Sequence, residues 1–200
     1  MKTLKKVFIP MVLIYALTAC VASIHPLYTA EDLVTDARIP GTWVESGSDG
    51  SEGSGGLFSP GNPGAIWSFT MDKDSSYKLT YTADSISNTF KVHLLELNGH
   101  CYVDFYPEDD NIEVTDLMIV HLLPVHTFAK VVITKDELRL YSLNSDFIMH
   151  LPEQQKTSLK HEATKDSFIL TASTEELQKF VIRYAGEEEA FHAPRILKRK

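Results

Sequence analysis

Cysteine is nearly absent: the 200-residue chain holds only Cys20 and Cys101, too few for a disulfide framework. Long apolar runs are missing as well. The amino-terminal run over 7–19 is 13 residues and contains Pro10, short of the roughly 20 residues with which a helix crosses a bilayer, so no permanent transmembrane span is expected. Nor is there an excess of basic charge. The 19 basic and 27 acidic residues give a net charge of −8, which argues against a nucleic-acid partner, whose phosphates demand a cationic surface. No Gly-x-Ser-x-Gly elbow occurs, since Ser48, Ser51 and Ser54 each lack one of the two glycines. A P-loop, a dinucleotide fingerprint, His-Glu-x-x-His and Cys-x-x-Cys are also missing. What is present is ordinary globular composition, 44% apolar and 23% charged, enough for one domain that buries roughly 70% of its unfolded surface.

The first six residues carry three lysines and no acid, and the apolar run 7–19 follows, the two parts of a secretory signal. At its end, Leu17-Thr18-Ala19-Cys20 resembles the lipobox of bacterial lipoproteins, whose cysteine is acylated and becomes the new amino terminus. The resemblance implies a diacylglycerol thioether and an N-acyl chain such as palmitate on Cys20, three chains where about two hold a protein stably on a membrane. An ordinary signal peptide with an incidental Cys20 is the alternative. Cleavage before Cys20 removes Lys2, Lys5 and Lys6, leaving 16 basic against 27 acidic residues and a net charge of −11, so the body is expected to stand off anionic headgroups. Cys101 is then expected to be a buried free thiol, with an intermolecular disulfide as the alternative. Val21-Ala22-Ser23 lack the aspartate that retains some such lipoproteins at the inner membrane, so the resemblance implies the outer membrane.

Residues 1–19 thus read as a lipoprotein signal peptide and 20–40 as a lipidated terminus and tether. One β-rich domain is expected over 41–193, and a basic tail that frays over 194–200. In the tether, Thr29 is placed to cap a short helix over 30–34. Gly41 to Glu45 reads as the first strand. Between Ser46 and Gly64 lie seven of the ten glycines, which predicts a mobile Gly/Ser loop over 46–64. From Ala65 the pattern has period two. Trp67, Phe69 and Met71 alternate with polar residues, as do Tyr77, Leu79 and Tyr81. Asn98-Gly99 joins the strands Phe90 to Leu97 and His100 to Phe105 through a type I′ turn. Further strands are expected at Leu117 to Leu122, Thr127 to Thr134, Leu138 to Leu143 and Ser167 to Thr171. Helices are expected at Asp146 to Leu151, stopped by Pro152, and after the capping box Ser173-Thr174-Glu175-Glu176, where Leu177, Phe180, Val181, Tyr184 and Ala185 form one stripe. That stripe must dock on the sheet or plug a barrel end.

Candidate chemistry centres on His121 and His126, with His93, His100 and Cys101 as companions for zinc. The five-residue spacing puts His121 and His126 on opposite faces of a continuous strand, so satisfied or exposed histidines are the plainer reading. The acidic stretch Glu108-Asp109-Asp110-Asn111 with Glu113 and Asp116 lacks the spacing and glycine of a calcium loop and reads as a solvated hairpin loop.

Gly41-x-Trp43 at the first strand, ahead of a meander of about eight strands and a late helix, resembles the lipocalin-type arrangement. That resemblance implies a tryptophan packed across the closed barrel end beneath a C-terminal arginine, for which Arg183 or Arg195 stands. Where that family has a Thr-Asp-Tyr turn, Thr115-Asp116 is followed here by Leu117. Pro26-Leu27-Tyr28-Thr29 and Asp32-Leu33-Val34 behind the lipobox resemble small bacterial envelope lipoproteins. The expectation is a mainly β chain, a lipocalin-like antiparallel barrel or sandwich with short helices, without enzymatic activity, cofactor or resident metal. Membrane attachment through Cys20 is expected, with a hydrophobic or amphiphilic ligand on Trp67, Phe69, Tyr77, Leu79 and Tyr81. The alternatives are an interaction module for an envelope protein partner and a metal-dependent site at His121 and His126. The aromatic face equally reads as plain core filling, since eight-stranded barrels can be wholly filled.

Overall fold

Alternating apolar and polar residues make strands with one wet and one dry face, and closing such a sheet removes its edges. The computed structural model describes residues 21–48, 62–108, 122–152, 159–163 and 168–200. Cys20, His121, the acidic residues 109–116, the strand expected from Leu117 and most of the Gly/Ser segment lie outside the described residues.

Eight antiparallel strands form a closed barrel: β3 (Gly41–Ser48), β4 (Ile66–Met71), β5 (Tyr77–Ala83), β6 (Ile86–Leu97), β7 (His100–Pro107), β8 (Thr127–Ile133), β9 (Glu137–Ser142) and β12 (Arg195–Arg199). They follow one another as a meander, and β12 closes it by pairing with both β9 and β3. The barrel, not the sandwich, is therefore the architecture. Short turns mark the lower end, including Asn98-Gly99, both with positive φ as a type I′ turn requires. The upper end is where β3, β5, β7 and β9 finish and β4, β6, β8 and β12 begin.

The basic tail is the main correction. Arg195 to Arg199 does not fray; it is a strand between two others, with Ile196 and Leu197 buried. The tether is corrected too. β1 (Val21–Ser23) pairs with β11 (Phe168–Leu170), and β10 (His161–Ala163) completes a small outer sheet. β2 (Leu33–Val34) pairs with Leu95 and Leu94 of β6. The helix expected over 30–34 is a single turn, because the Asp32 carboxylate bonds back to Thr29 N and Oγ1, each at 2.7 Å, and the free edge of β6 claims the next two residues. The first strand runs three residues past Glu45, and Met71, expected inside, is 49% exposed at the end of β4.

Two cores share one wall. The barrel interior holds Trp43, Trp67, Phe69, Tyr77, Leu79, Val92, Leu94, Val103, Phe105, Ala129, Val131, Leu138, Leu140 and Leu197. The outer core covers the other face of β6, β7 and β8 with α1 (Ser145–His150), α2 (Thr174–Tyr184) and the small sheet. Asn144 caps α1, and the expected Ser173–Glu176 capping box starts α2. The α2 stripe docks on the outer wall, where Tyr102 Oη donates to Val181 O at 3.3 Å. Strands dry on both faces lose their alternation, which is why Tyr102 to Phe105 are all buried.

The lower end is sealed by Trp43, fully buried, whose Nε1 donates to Ile39 O at 2.9 Å. The arginine over its ring is Arg199, 4.0 Å from the centroid, in place of the expected Arg183 or Arg195. Arg199 also donates to the carbonyls of Lys135, Pro40 and Arg38. Gly41, at φ +133°, leaves room for it: a Cβ there would meet Arg199 Nη1 at 2.5 Å. Gly41→Ala should therefore destabilise by about 1–3 kcal/mol through backbone strain and displacement of the guanidinium. Arg199→Ala should cost about 2 kcal/mol, and Arg199→Lys should recover less than half, lacking the planar fork. Urea unfolding of the three variants checks both.

Candidate functional site

In the upper half of the barrel, hydrophobic logic would fill every inward position with carbon. Two positions depart from it. Glu45 on β3 is 1% exposed and Arg195, opening β12, is 6% exposed. A register shift in β12 between Arg195 and Leu197 sets Leu197 opposite Glu45 and Arg195 opposite Ser48. Glu45 Oε1 lies 3.3 Å from Arg195 Nε, and Trp67 Nε1 donates to Glu45 Oε2 at 3.2 Å. No hydrogen bond of proper geometry reaches Glu45 Oε1. The Arg195 guanidinium carbon sits 5.6 Å from the Trp67 ring centroid, and Tyr81 hydrogen-bonds to the same guanidinium. Burial pushes the Glu45 carboxyl up, against the opposing pull of Arg195 and Trp67, and burial also lowers Arg195.

All five aromatic-face candidates turn inward and share the interior cluster. Trp67 meets Tyr81 edge-on at 5.1 Å and Phe105 edge-on at 6.1 Å, so Trp67 and Tyr81 flank the charge pair with Phe69 next to Trp67. Tyr77 and Leu79 are fully packed towards the lower end, where Tyr77 Oη donates to Asp36 O and accepts from Asp36 N. The charge pair itself escaped the sequence reading. Glu45 sits in period-two alternation with Trp43, a signal for an inward carboxylate, but nothing local placed Arg195 opposite it.

A second polar cluster lies on the outer face of the barrel wall. Asp104 of β7 is fully buried, pairs through Oδ1 with His126 Nδ1 at 2.7 Å and accepts Leu27 N on Oδ2 at 2.8 Å. Its cross-strand partner is His93, whose Nδ1 is buried without a partner and whose ring lies tilted at 35° with its centroid 4.2 Å from that of Tyr28. Tyr106 lies 4.6 Å from His126. Ser23 Oγ, near in pairing, donates to His25 O at 2.7 Å and not to the imidazole. Asp104 thus clamps the 21–34 strap, which Thr174 and Gln178 of α2 hold from the other side through Pro26 O, Leu27 O and the Asp32 carboxylate. His93 and His126 come together around Asp104, whereas His100 and Cys101 begin β7 at the opposite end. Among the described residues no three metal-ligating side chains converge. Cys101 is half-buried rather than buried, and burial pushes its thiol up, away from the reactive thiolate. It borders a groove of about 370 Å³ where β7 and β8 part, between His100 and Val131 to Ile133.

Burial lowers the His93 pKa below its ordinary 6.5. The unfolded chain then binds the extra proton first, so the stability His93 confers is complete above pH 6.5 and is lost as pH falls below it. His192, lowered likewise by burial, adds in the same direction. Urea midpoints at pH 7.5 and pH 5.5 should differ less in His93→Leu than in the wild type.

Compared with protein-family models, curated proteins and solved structures, the chain matches none.

Proposed function

We propose that the protein is a lipid-anchored envelope lipoprotein whose barrel binds an amphiphilic small molecule, its acidic headgroup at Arg195 and its apolar part along Trp67, Phe69 and Tyr81. The Glu45–Arg195 pair inside an otherwise apolar barrel carries this reading. Two charges withdrawn from water cost several kcal/mol each in order of magnitude, and well-packed hydrophobic residues of similar volume would be as stable or more so. A barrel built only to pack has no use for them. An acidic headgroup can replace Glu45 at Arg195, and the burial that raises the Glu45 pKa lowers the cost of protonating it once displaced. The anchor rests on the lipobox Leu17-Thr18-Ala19-Cys20, and the outer membrane on the residues after it.

Residues 21–200 contain every described element, so the domain can be purified without signal, lipid or detergent. Native mass spectrometry should show an acidic amphiphile that leaves on gentle activation. The paired variant Glu45→Gln/Arg195→Met, which removes both charges together, should keep its free energy of unfolding in urea within about 1–2 kcal/mol of the wild type and lose the adduct. A clean apo mass for the wild type, together with no binding of added fatty acid, would make the interior a packed core.

A further inference from the structure

The upper interior holds one negative charge and one positive, and the negative one is fixed in place. Glu45 lies on a strand paired on both sides, with its backbone N donating to Ala65 O at 3.0 Å and its carbonyl accepting from Gly64 N at 2.9 Å. Its carboxyl therefore cannot swing out to water while the barrel stays closed. The groups that face it come from each neighbouring element: Arg195 from β12, Trp67 from β4, the Asn62 backbone amide ahead of β4, and Tyr81 from β5. The next charge beyond Tyr81 is Asp84, exposed in the turn between β5 and β6, where Asn62 Nδ2 donates to its Oδ2 at 3.3 Å. The other buried acidic or basic side chains among the described residues, His93, Asp104 and His126, stand on the outer face of the wall.

An acidic headgroup arriving at Arg195 sets two negative charges against one positive in a site withdrawn from water. Two carboxylates sharing such a site do not both stay ionised; one proton is held between them. The structure supplies the atom for it. Glu45 Oε2 accepts from Trp67 Nε1, whereas Oε1, buried in the same place, has no hydrogen bond of proper geometry among the described residues. An O–H···O bond between Oε1 and the incoming headgroup satisfies that oxygen and leaves one positive charge facing one negative charge. Burial already pushes the Glu45 carboxyl up, the direction this requires. A phosphate monoester, whose second pKa is about 6, carries at neutral pH a further charge that nothing in this interior balances.

We infer that the ligand's headgroup is a single carboxylate that shares one proton with Glu45 Oε1 beside Arg195, so that each molecule bound takes up one proton from solvent. The inference rests on the ligand reading proposed above and gives it a headgroup and a direction with pH. No bond to carbon is made or broken: one carboxylate and one proton enter together, and the site stays neutral overall. Loading strengthens as pH falls and weakens as it rises, because the bound state holds one proton more than the free protein and the free carboxylate.

The test is calorimetric titration of the chain from Val21, which holds every described element, with decanoic acid below its micelle concentration, in phosphate and in Tris buffer. The difference in binding heat between the buffers, divided by the difference in their ionisation enthalpies, should count about one proton taken up per ligand. Between pH 6.5 and pH 7.5 the affinity should fall about tenfold, and at pH 7.5 decyl phosphate should bind at least about tenfold more weakly than decanoic acid. Glu45→Gln keeps an acceptor for Trp67 but holds no titrating proton, so its binding should take up almost none. Where that variant fails to fold, the proton count of the wild type decides. Decanoic acid bound without proton uptake, or with uptake unchanged in folded Glu45→Gln, overturns the shared proton and leaves the ligand reading standing. Decyl phosphate bound as tightly as decanoic acid, or more so, overturns the carboxylate headgroup. Binding of neither overturns the ligand reading and this inference together.

Discussion

Everything in this molecule depends on the strand that closes the sheet. Seven meander strands would leave two open edges, on β3 and β9, each a row of unpaired backbone groups. β12 fills that gap from the far end of the sequence, after two helices and an outer sheet have been threaded over the wall. Its five residues include three basic ones, a composition that does not suggest an interior strand. Arg199 resolves the conflict at the lower end by spreading its charge over the Trp43 face and three carbonyls. Arg195 resolves it at the upper end against Glu45, Tyr81 and Trp67.

The two arginines divide the interior by chemistry. Around Trp43 and Arg199 the guanidinium caps an otherwise closed end, and its partners are backbone oxygens that cannot be exchanged. Around Trp67 and Arg195 the partner is a carboxylate with one oxygen poorly satisfied, an arrangement that a competing acidic group can enter. The same fold thus closes one end over a packed tryptophan and leaves a buried ion pair at the other. The groove at Cys101 has neither feature: its thiol is held protonated by burial and it opens on the outer wall.

The outer layer has its own internal logic. β6 over 92–95 and β7 over 102–105 are dry on both faces, so the polar residues that alternation would send to water, His93 and Asp104, are trapped beneath the strap. Asp104 is satisfied by His126 and the Leu27 amide, and it thereby fixes the 21–34 strap to the barrel.

The sequence by itself determined what local patterns determine: period-two strands and the Asn98-Gly99 turn, the Ser173–Glu176 capping box, the inward Trp67, Phe69, Tyr77, Leu79 and Tyr81, and Gly41-x-Trp43 at the first strand. Each follows from neighbours within a few residues, whose side-chain direction a strand or helix fixes on its own. Only the tertiary structure decided that the 21–34 segment is a docked strap, that Arg195–Arg199 closes the barrel, and that Glu45 faces Arg195 across 150 residues of chain. The reason is shared. Hydropathy assigns a charged residue to water, and a buried charge becomes tolerable only through partners from distant strands. Where the partner is remote in sequence, nothing local announces it; that is why the site's aromatic wall was legible and its charge pair was not.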